Sequence, residues 1–162
     1  MPNTQVSEDL NGAQFALFRH AEAKPATAGE DDKARPLTAL GRAAARQVAQ
    51  QMQGLGLVPK RALVSAATRT RGTWDAAQEI LSDCQPRFHD HLYHAPATVL
   101  WNSLTEAMRP DSPVVLVGHN PGISSLAFRL THGQVGSLSL AMVVWFEIVD
   151  GTPHCRHVLR PT

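Results

Sequence analysis

Three apolar runs in this chain each end abruptly in polar and basic side chains, and this pattern constrains the fold more than any other feature. The first run ends in Arg19 and His20, the second in a polar cluster over 65–69, and the third in Gly118 and His119. Short apolar runs of this kind are typical of buried strands. In open α/β sheets, ligands bind just beyond the carboxyl ends of such strands. The residues at the ends of the three apolar runs are therefore predicted to form a ligand-binding site.

Helical patterns separate the apolar runs, which predicts strand–helix–strand units and a mostly parallel sheet. Thr38 is the expected N-cap of the first helix, whose apolar positions repeat with helical spacing at Leu40, Ala44, Val48 and Met52. Further helices are predicted over about 70–81, 97–108 and 123–130, a brief strand at 86–88, a strand over 138–149 and an edge strand in the polar tail. We expect one α/β domain over residues 1–162 with three α/β/α layers, in which residues 1–12 form a flexible leader.

Composition narrows the classes of function. The 162 residues carry a formal net charge of +1, so the protein as a whole has no strong positive potential that would attract nucleic acid or an anionic membrane. No apolar stretch approaches the roughly 20 residues needed to span a bilayer, and the polar N-terminus lacks the blocks of a signal peptide. Cys84 and Cys155 form neither a C-x-x-C pair nor a metal spacing. We expect a cytoplasmic protein without nucleic-acid or membrane partners.

Parallel strands bring their carboxyl ends to one edge of a sheet, so Arg19, His20, Arg69 and His119 are predicted to share a pocket. Arginine side chains can hold the non-bridging oxygens of a phosphoryl group and neutralise its charge. One neutral histidine can attack phosphorus, and the other can hydrogen-bond an oxygen of the transferring group. These residue types in this arrangement predict a phosphoryl-transfer site.

A metal centre is the less favoured use of the histidines that remain. His89, His91 and His94, with Asp90, can be drawn as a zinc cluster because alternate residues of a strand share a face. The run lacks a convincing fourth ligand, so a pocket-rim or solvent-facing position is favoured. We expect no metal and no cofactor.

Four motifs, in this order, resemble those of the histidine phosphatase superfamily. They are Arg19-His20-Ala21-Glu22, Arg35-Pro36-Leu37-Thr38 with Gly41, Ser65 with Arg69 and Thr73, and Val117-Gly118-His119-Asn120-Pro121. The resemblance spans about residues 15–149. The short chain, the Arg-Pro-Leu-Thr element and the absence of a large inserted cap look most like the SixA-type phosphohistidine phosphatases. The implied fold is phosphoglycerate mutase-like.

The resemblance also implies roles for individual residues. His20 would be the nucleophile that forms a phosphohistidine intermediate, and Arg19, Arg69 and His119 would complete the phosphate pocket. Arg35 would contact the substrate or its phosphate; its alternative interpretation is a solvated charge near the start of a helix.

The proton donor and the substrate stay open at this point. Many phosphoester-cleaving members of the superfamily carry a carboxylate after the second helix, which protonates the leaving oxygen. In this chain Asp90 is the only acid of that segment, and Glu22 and His94 are the other candidate donors. A phosphorylated imidazole leaves more readily than an alkoxide, so the substrate favoured is a phosphohistidine-containing phosphotransfer protein. The alternatives are a phosphomonoesterase acting on a small phosphorylated molecule and a non-catalytic phosphate- or phosphoprotein-binding module.

Overall fold

The computed structural model describes residues 4–162, in which a six-stranded mixed sheet lies between two pairs of helices. The strands are β1 (Gln14–Arg19), β2 (Arg61–Ser65), β3 (Gln85–His89), β4 (Val114–Gly118), β5 (Val143–Val149) and β6 (Thr152–Leu159). The helices are α1 (Ala39–Gly54), α2 (Thr68–Gln78), α3 (Ala97–Ala107) and α4 (Gly122–Leu130). The strand order is β3-β2-β4-β1-β5-β6, with the first four strands parallel and β5 and β6 antiparallel. The expected α/β fold with a mostly parallel sheet is confirmed.

The two faces of the sheet are covered by different helices. Successive side chains of a strand point to opposite faces. In β1, Ala16 and Phe18 pack into the core formed with α1 and α2, whereas Phe15 and Leu17 pack with α3 and α4. Every residue of β4 is buried, as expected for a central strand covered on both sides. The structure therefore has the three expected layers.

Helix α1 begins where the sequence predicts, but it is rotated relative to the predicted apolar face. The Thr38 hydroxyl accepts a hydrogen bond from the Gly41 amide at 3.0 Å and so caps the helix. Leu40 is 74% exposed, whereas the buried positions are Gly41, Ala45, Val48, Ala49 and Met52. The reason is the close approach of α1 to the chain after β1, since a Cβ on Gly41 would lie 2.2 Å from the Glu22 carbonyl oxygen.

Two boundaries differ from the sequence prediction. Helix α2 covers Thr68–Gln78 rather than 70–81, and Leu81 is buried in the turn that follows it. Strand β5 starts at Val143 rather than at 138, because Ala141 has a φ of 60° that interrupts extended backbone. The predicted edge strand in the polar tail is β6.

The segment before β1 differs from the flexible leader expected over residues 1–12. Residues 1–3 lie outside the described residues. The Val6 amide donates to the Gly151 carbonyl at 2.8 Å, and the Gly12 amide donates to the Ile148 carbonyl at 2.8 Å. The side chain of Asn11 accepts from the Gly151 amide at 2.8 Å. These bonds fasten residues 6–12 to the end of β5 and the turn before β6.

The helices are short relative to a bilayer. The longest, α1, has 16 residues. In the part of the chain that the structure describes, no helix has the length and apolar character needed to cross a membrane.

Candidate active site

Two neighbouring strand ends place the two central histidines side by side. Strands β1 and β4 run parallel with Arg19 opposite Gly118, and the His20 amide donates to the Gly118 carbonyl at 3.1 Å. The next residue of each strand is a histidine, and the ring centroids of His20 and His119 are 5.4 Å apart. Both side chains are buried, with 8% and 2% of their surface exposed. The parallel sheet therefore forms the pair that the sequence predicts.

The two predicted arginines flank this pair. Arg19 ends β1 and donates from Nη1 to the Leu138 carbonyl at 3.0 Å. Arg69 lies in the first turn of α2 and is only 3% exposed. Both guanidinium groups are close enough to His20 to disfavour its protonation. The structure thus brings Arg19, His20, Arg69 and His119 into one cluster, which we call the pocket floor.

His20 is held in a state suited to nucleophilic attack. Its Nδ1 lies 2.8 Å from the carbonyl oxygen of Ala21. A carbonyl can only accept, so Nδ1 carries the proton and donates it, which leaves Nε2 with a free electron pair. Burial, followed by the charges of Arg69 and Arg19, lowers the pKa of His20 to about 4. The ring is therefore neutral at pH 7.

His119 is neutral as well and is oriented by a serine. Burial, followed by the charge of Arg69, lowers the pKa of His119 to about 3. Its Nε2 lies 2.7 Å from Oγ of Ser65, at the end of β2. With the hydroxyl donating to Nε2, the proton of the neutral ring is on Nδ1. Ser65, which shares a sequence motif with Arg69, thus also contacts His119.

The pocket floor has donors without acceptors. Within residues 4–162, four buried side-chain nitrogens lack a hydrogen-bond partner, and three belong to the pocket floor: Nε of Arg19, Nε of Arg69 and Nδ1 of His119. Buried donors are nearly always hydrogen-bonded in folded proteins. The two arginine N–H groups, together with Nδ1 of His119 in the tautomer that carries its proton there, indicate a binding site for an anion.

An acidic side chain that the sequence did not single out lies beside Arg69. Asp32 sits in a 3₁₀ turn (Asp32–Ala34) of the loop between β1 and α1. Its carboxylate accepts from Nη2 of Arg69 at 3.2 Å and from Nη1 of Arg35 at 3.0 Å, and it also accepts from the Tyr93 hydroxyl. Its backbone carbonyl accepts from Nη1 of Arg69 at 2.9 Å. Asp32 thus ties the β1–α1 loop to the pocket floor.

His94 and Tyr93 approach the same point from the segment after β3. Their rings stack with centroids 4.2 Å apart, and each packs edge-on against His119. Nη2 of Arg69 donates to Nε2 of His94 at 2.9 Å. Asp32, Tyr93 and His94, which we call the rim, are more exposed than the pocket floor; the side chains of Asp32 and His94 are 41% and 49% exposed.

Of the remaining candidate residues, some lie at the pocket and others are bonded elsewhere. Arg35 reaches the rim through Asp32, and its Nε donates to the Lys24 carbonyl at 2.7 Å. Glu22 instead accepts from the Thr38 hydroxyl at 2.7 Å, at the start of α1. Asp90 is 83% exposed and pairs with Lys33 at 3.0 Å. Among the described residues, His94 is the one of the three candidate proton donors that hydrogen-bonds a residue of the pocket floor, Arg69.

The three histidines of the suggested zinc cluster have different contacts. The rings of His89 and His91 lie 5.2 Å apart, and Nε2 of His91 is within 3.1 Å of the Ser103 hydroxyl. His94 instead contacts Arg69 and His119. Among residues 4–162, no group of three His, Cys, Asp or Glu side chains is arranged to hold a metal ion.

No family model matches the sequence. Two curated relatives do match, and both are described as uncharacterized proteins. One, from Picosynechococcus sp., is 35% identical over 130 residues, which cover 76% of this chain and 76% of the relative. The other, a chloroplastic protein of Arabidopsis thaliana, is 31% identical over 144 residues, which cover 83% of this chain and 64% of the relative.

Solved structures resemble the fold over almost its whole length. The crystal structure of the putative phosphohistidine phosphatase SixA from Agrobacterium tumefaciens matches with a TM-score of 0.81 at 25% identity, covering 92% of this chain and 98% of that one. The putative SixA from Nakamurella multipartitia gives a TM-score of 0.80 at 24% identity, covering 93% and 98%. The protein histidine phosphatase SixA complexed with tungstate gives 0.74 at 21% identity, covering 91% and 97%. The chain therefore has the fold of the SixA-type members of the histidine phosphatase superfamily, and it resembles them over nearly its whole length.

Proposed function

We propose that this protein is a phosphatase that works through a phosphorylated His20, with protein phosphohistidine as its substrate. The observation that carries the proposal is the hydrogen bond from Nδ1 of His20 to the Ala21 carbonyl at 2.8 Å. It fixes the tautomer in which Nε2 is free to attack phosphorus. A pure phosphate-binding module needs the arginines but has no use for a nucleophile.

The first step transfers the phosphoryl group to the enzyme. Nε2 of His20 attacks phosphorus, the P–N bond of the substrate breaks, and its electron pair returns to the substrate nitrogen. Arg19 and Arg69 stabilise the negative charge on the equatorial oxygens through their Nε–H groups, which have no hydrogen-bond partner among the described residues. His119 donates its Nδ1–H to another of these oxygens, with Ser65 holding its Nε2.

The second step regenerates the enzyme. Water attacks the phosphorus of phospho-His20, the bond to Nε2 breaks with its electron pair returning to Nε2, and inorganic phosphate leaves with both protons of the water. The proton on Nδ1 stays hydrogen-bonded to Ala21 throughout, so the same tautomer is restored. Splitting one displacement into two through a covalent intermediate is the general advantage of nucleophilic catalysis.

The open rim supports a protein substrate. Asp32 and His94, at the solvent side of the pocket, are both about half exposed. A phosphorylated imidazole on the surface of a partner can reach the pocket floor past them. The partner we propose is a phosphotransfer protein that carries phosphohistidine.

A small-molecule phosphomonoesterase is the second candidate, and the position of His94 favours it. The ring centroid of His94 lies 5.1 Å from that of His119, so it is close enough to the pocket to protonate a leaving oxygen. Glu22 and Asp90 are bonded elsewhere. This candidate predicts faster turnover of phosphate esters than of phosphohistidine.

The test is phosphate release from a phosphohistidine-bearing protein and from an aryl phosphate, measured side by side with excess chelator. The variants are His20→Ala and, as a matched control, His154→Ala, which removes an exposed histidine on β6. We expect turnover of phosphohistidine to exceed that of the ester, His20→Ala to abolish both, and His154→Ala to change neither. Faster ester turnover would favour the second candidate. Activity that persists in His20→Ala, or phosphate binding without turnover in the wild type, would refute the phosphohistidine mechanism.

A further inference from the structure

Asp32 is placed to contact the part of the substrate that leaves. An ionised carboxylate offers about four acceptor positions. Among the described side chains, Arg69, Arg35 and Tyr93 donate to it, which uses three of these positions. It lies on the exposed rim, whereas the nucleophile His20 is buried. The carboxylate therefore retains acceptor capacity on the solvent side of the pocket.

The geometry of phosphoryl transfer puts the leaving group on that side. The attacking and leaving atoms lie roughly in line with phosphorus between them. His20 attacks from the buried end of the pocket, so the leaving nitrogen or oxygen faces the rim. Arg69 connects the rim with the buried part of the pocket. Its Nη2 bonds Asp32 and His94 of the rim, and its Nε is buried without a hydrogen-bond partner.

We propose that Asp32 selects substrates whose leaving group is a protonated imidazole, by accepting a hydrogen bond from the ring N–H that is not phosphorylated. This inference rests on the proposed phosphatase function and makes Asp32 its specificity-determining residue. When the P–N bond breaks, the electron pair goes to the formerly phosphorylated nitrogen. The proton stays on the other ring nitrogen, hydrogen-bonded to the Asp32 carboxylate. The imidazole therefore leaves neutral, and no proton has to be supplied during the step.

The same carboxylate disfavours phosphate esters. The hydrogen bonds from Tyr93 and Arg35 hold the pKa of Asp32 far below its usual range, so it is ionised at neutral pH. An ionised carboxylate cannot protonate a leaving alkoxide or phenolate, and it repels the charge that develops there. One residue thus stabilises the protonated phosphoimidazole of the substrate and opposes a leaving group that departs as an anion.

The test compares Asp32→Asn with wild type on two substrates, a peptide that carries phosphohistidine and an aryl phosphate. Asparagine keeps the size of the side chain and an oxygen acceptor for Arg69, but it removes the charge. Asp31→Asn is the matched control, because Asp31 is exposed and caps the same 3₁₀ turn by accepting from the Lys33 amide at 3.1 Å. Asparagine caps such turns about as well as aspartate.

We expect Asp32→Asn to lower kcat/KM for the phosphohistidine peptide about 10- to 100-fold, the size of one charge-assisted hydrogen bond. Any loss that acts through Arg69 affects both substrates alike, so the ratio of kcat/KM for the peptide to that for the aryl phosphate should fall at least about tenfold. Asp31→Asn should change neither substrate. Equal losses on both substrates would show that Asp32 only positions Arg69, and the inference would fall while the proposed function stands. The same selective loss in Asp31→Asn would also overturn it, as an effect of general charge. No turnover of either substrate by the wild type would refute the proposed function and this inference together.

Discussion

The hydroxyl oxygen of Thr73 accepts a hydrogen bond from the backbone amide of Ala21 at 2.9 Å. The same hydroxyl donates to the backbone carbonyl of Arg69 at 2.8 Å, one turn earlier in α2. Ala21 is the residue whose carbonyl fixes the tautomer of His20. One buried side chain therefore connects the residue that orients His20 to the helical turn that carries Arg69.

Thr73→Val should lower both stability and activity. Valine has nearly the shape of threonine but leaves the buried Ala21 amide without an acceptor, which destabilises a protein by about 1–3 kcal/mol. We expect urea unfolding to show a loss of this size and kcat to fall by about tenfold. Thr73→Ser keeps the hydroxyl and should restore most of both. A valine variant with unchanged kinetics would contradict a positioning function for Thr73.

The two buried histidines predict how stability depends on pH. Their pKa values, about 4 for His20 and about 3 for His119, lie below the 6.5 of a free histidine. The unfolded chain therefore binds more protons than the folded one between about pH 6.5 and 3, and the free energy of unfolding falls as pH decreases through this window. Asp32 adds to the loss only below about pH 3.8, because its pKa is lowered from there.

This pH dependence is measured from urea midpoints at pH 7, 5.5 and 4.5. His20→Gln should flatten the curve, whereas His154→Gln, at an exposed position, should leave it as in the wild type. Turnover should not lose its neutral nucleophile until pH falls to about 4. Equal midpoints at pH 7 and pH 4.5 would show that these histidines are not buried in the neutral form.

Gly41→Ala should destabilise the fold strongly. The added Cβ would lie 2.2 Å from the carbonyl oxygen of Glu22, a backbone atom that cannot move without shifting the chain after His20. We expect a loss of about 3 kcal/mol or more in the free energy of unfolding. Gly54→Ala, at the other end of the same helix, meets nothing within 4 Å and should change stability by no more than about 1 kcal/mol, in the stabilising direction. Similar effects of the two substitutions would contradict the close approach of α1.

Arg69→Lys should remove most of the activity although it keeps the positive charge. Lysine cannot bond Asp32 and His94 at one end and still present an N–H to a phosphoryl oxygen at the other. We expect kcat/KM to fall about 100-fold or more. The control is Arg71→Lys in the same helix, where the guanidinium is exposed and donates to the Ala66 carbonyl. Turnover of Arg69→Lys within a few fold of the wild type would show that a single positive charge is sufficient.

The pocket floor was predictable because its residues lie at, or just after, the ends of strands. Apolar runs ending in Arg19-His20 and in His119 indicate parallel strands, and parallel strands meet at one edge. The rotation of helix α1 about its own axis was not predictable in the same way. Leu40 fits the helical period of the apolar face but is 74% exposed, because the approach of Gly41 to Glu22 sets the rotation of α1.

The rim was not predictable because it is built from two loops. Asp32 lies in an acidic stretch without periodicity, and Tyr93 in an irregular segment 61 residues later in the chain. Their contact depends on how both loops fold over Arg69, which no local pattern encodes. The one available signal was the spacing of three between Asp32 and Arg35, which allows the ion pair observed in the 3₁₀ turn.

The backbone of His20 is bonded on both sides, to Gly118 of β4 through its amide and to Ala141 before β5 through its carbonyl. Its amide hydrogen should therefore exchange with solvent only when the sheet itself opens. The rim, by contrast, is carried on surface loops, which accept insertions and substitutions readily. Substitutions in the β1–α1 loop and in the segment after β3 can therefore change what the rim contacts, without disturbing the backbone that holds His20.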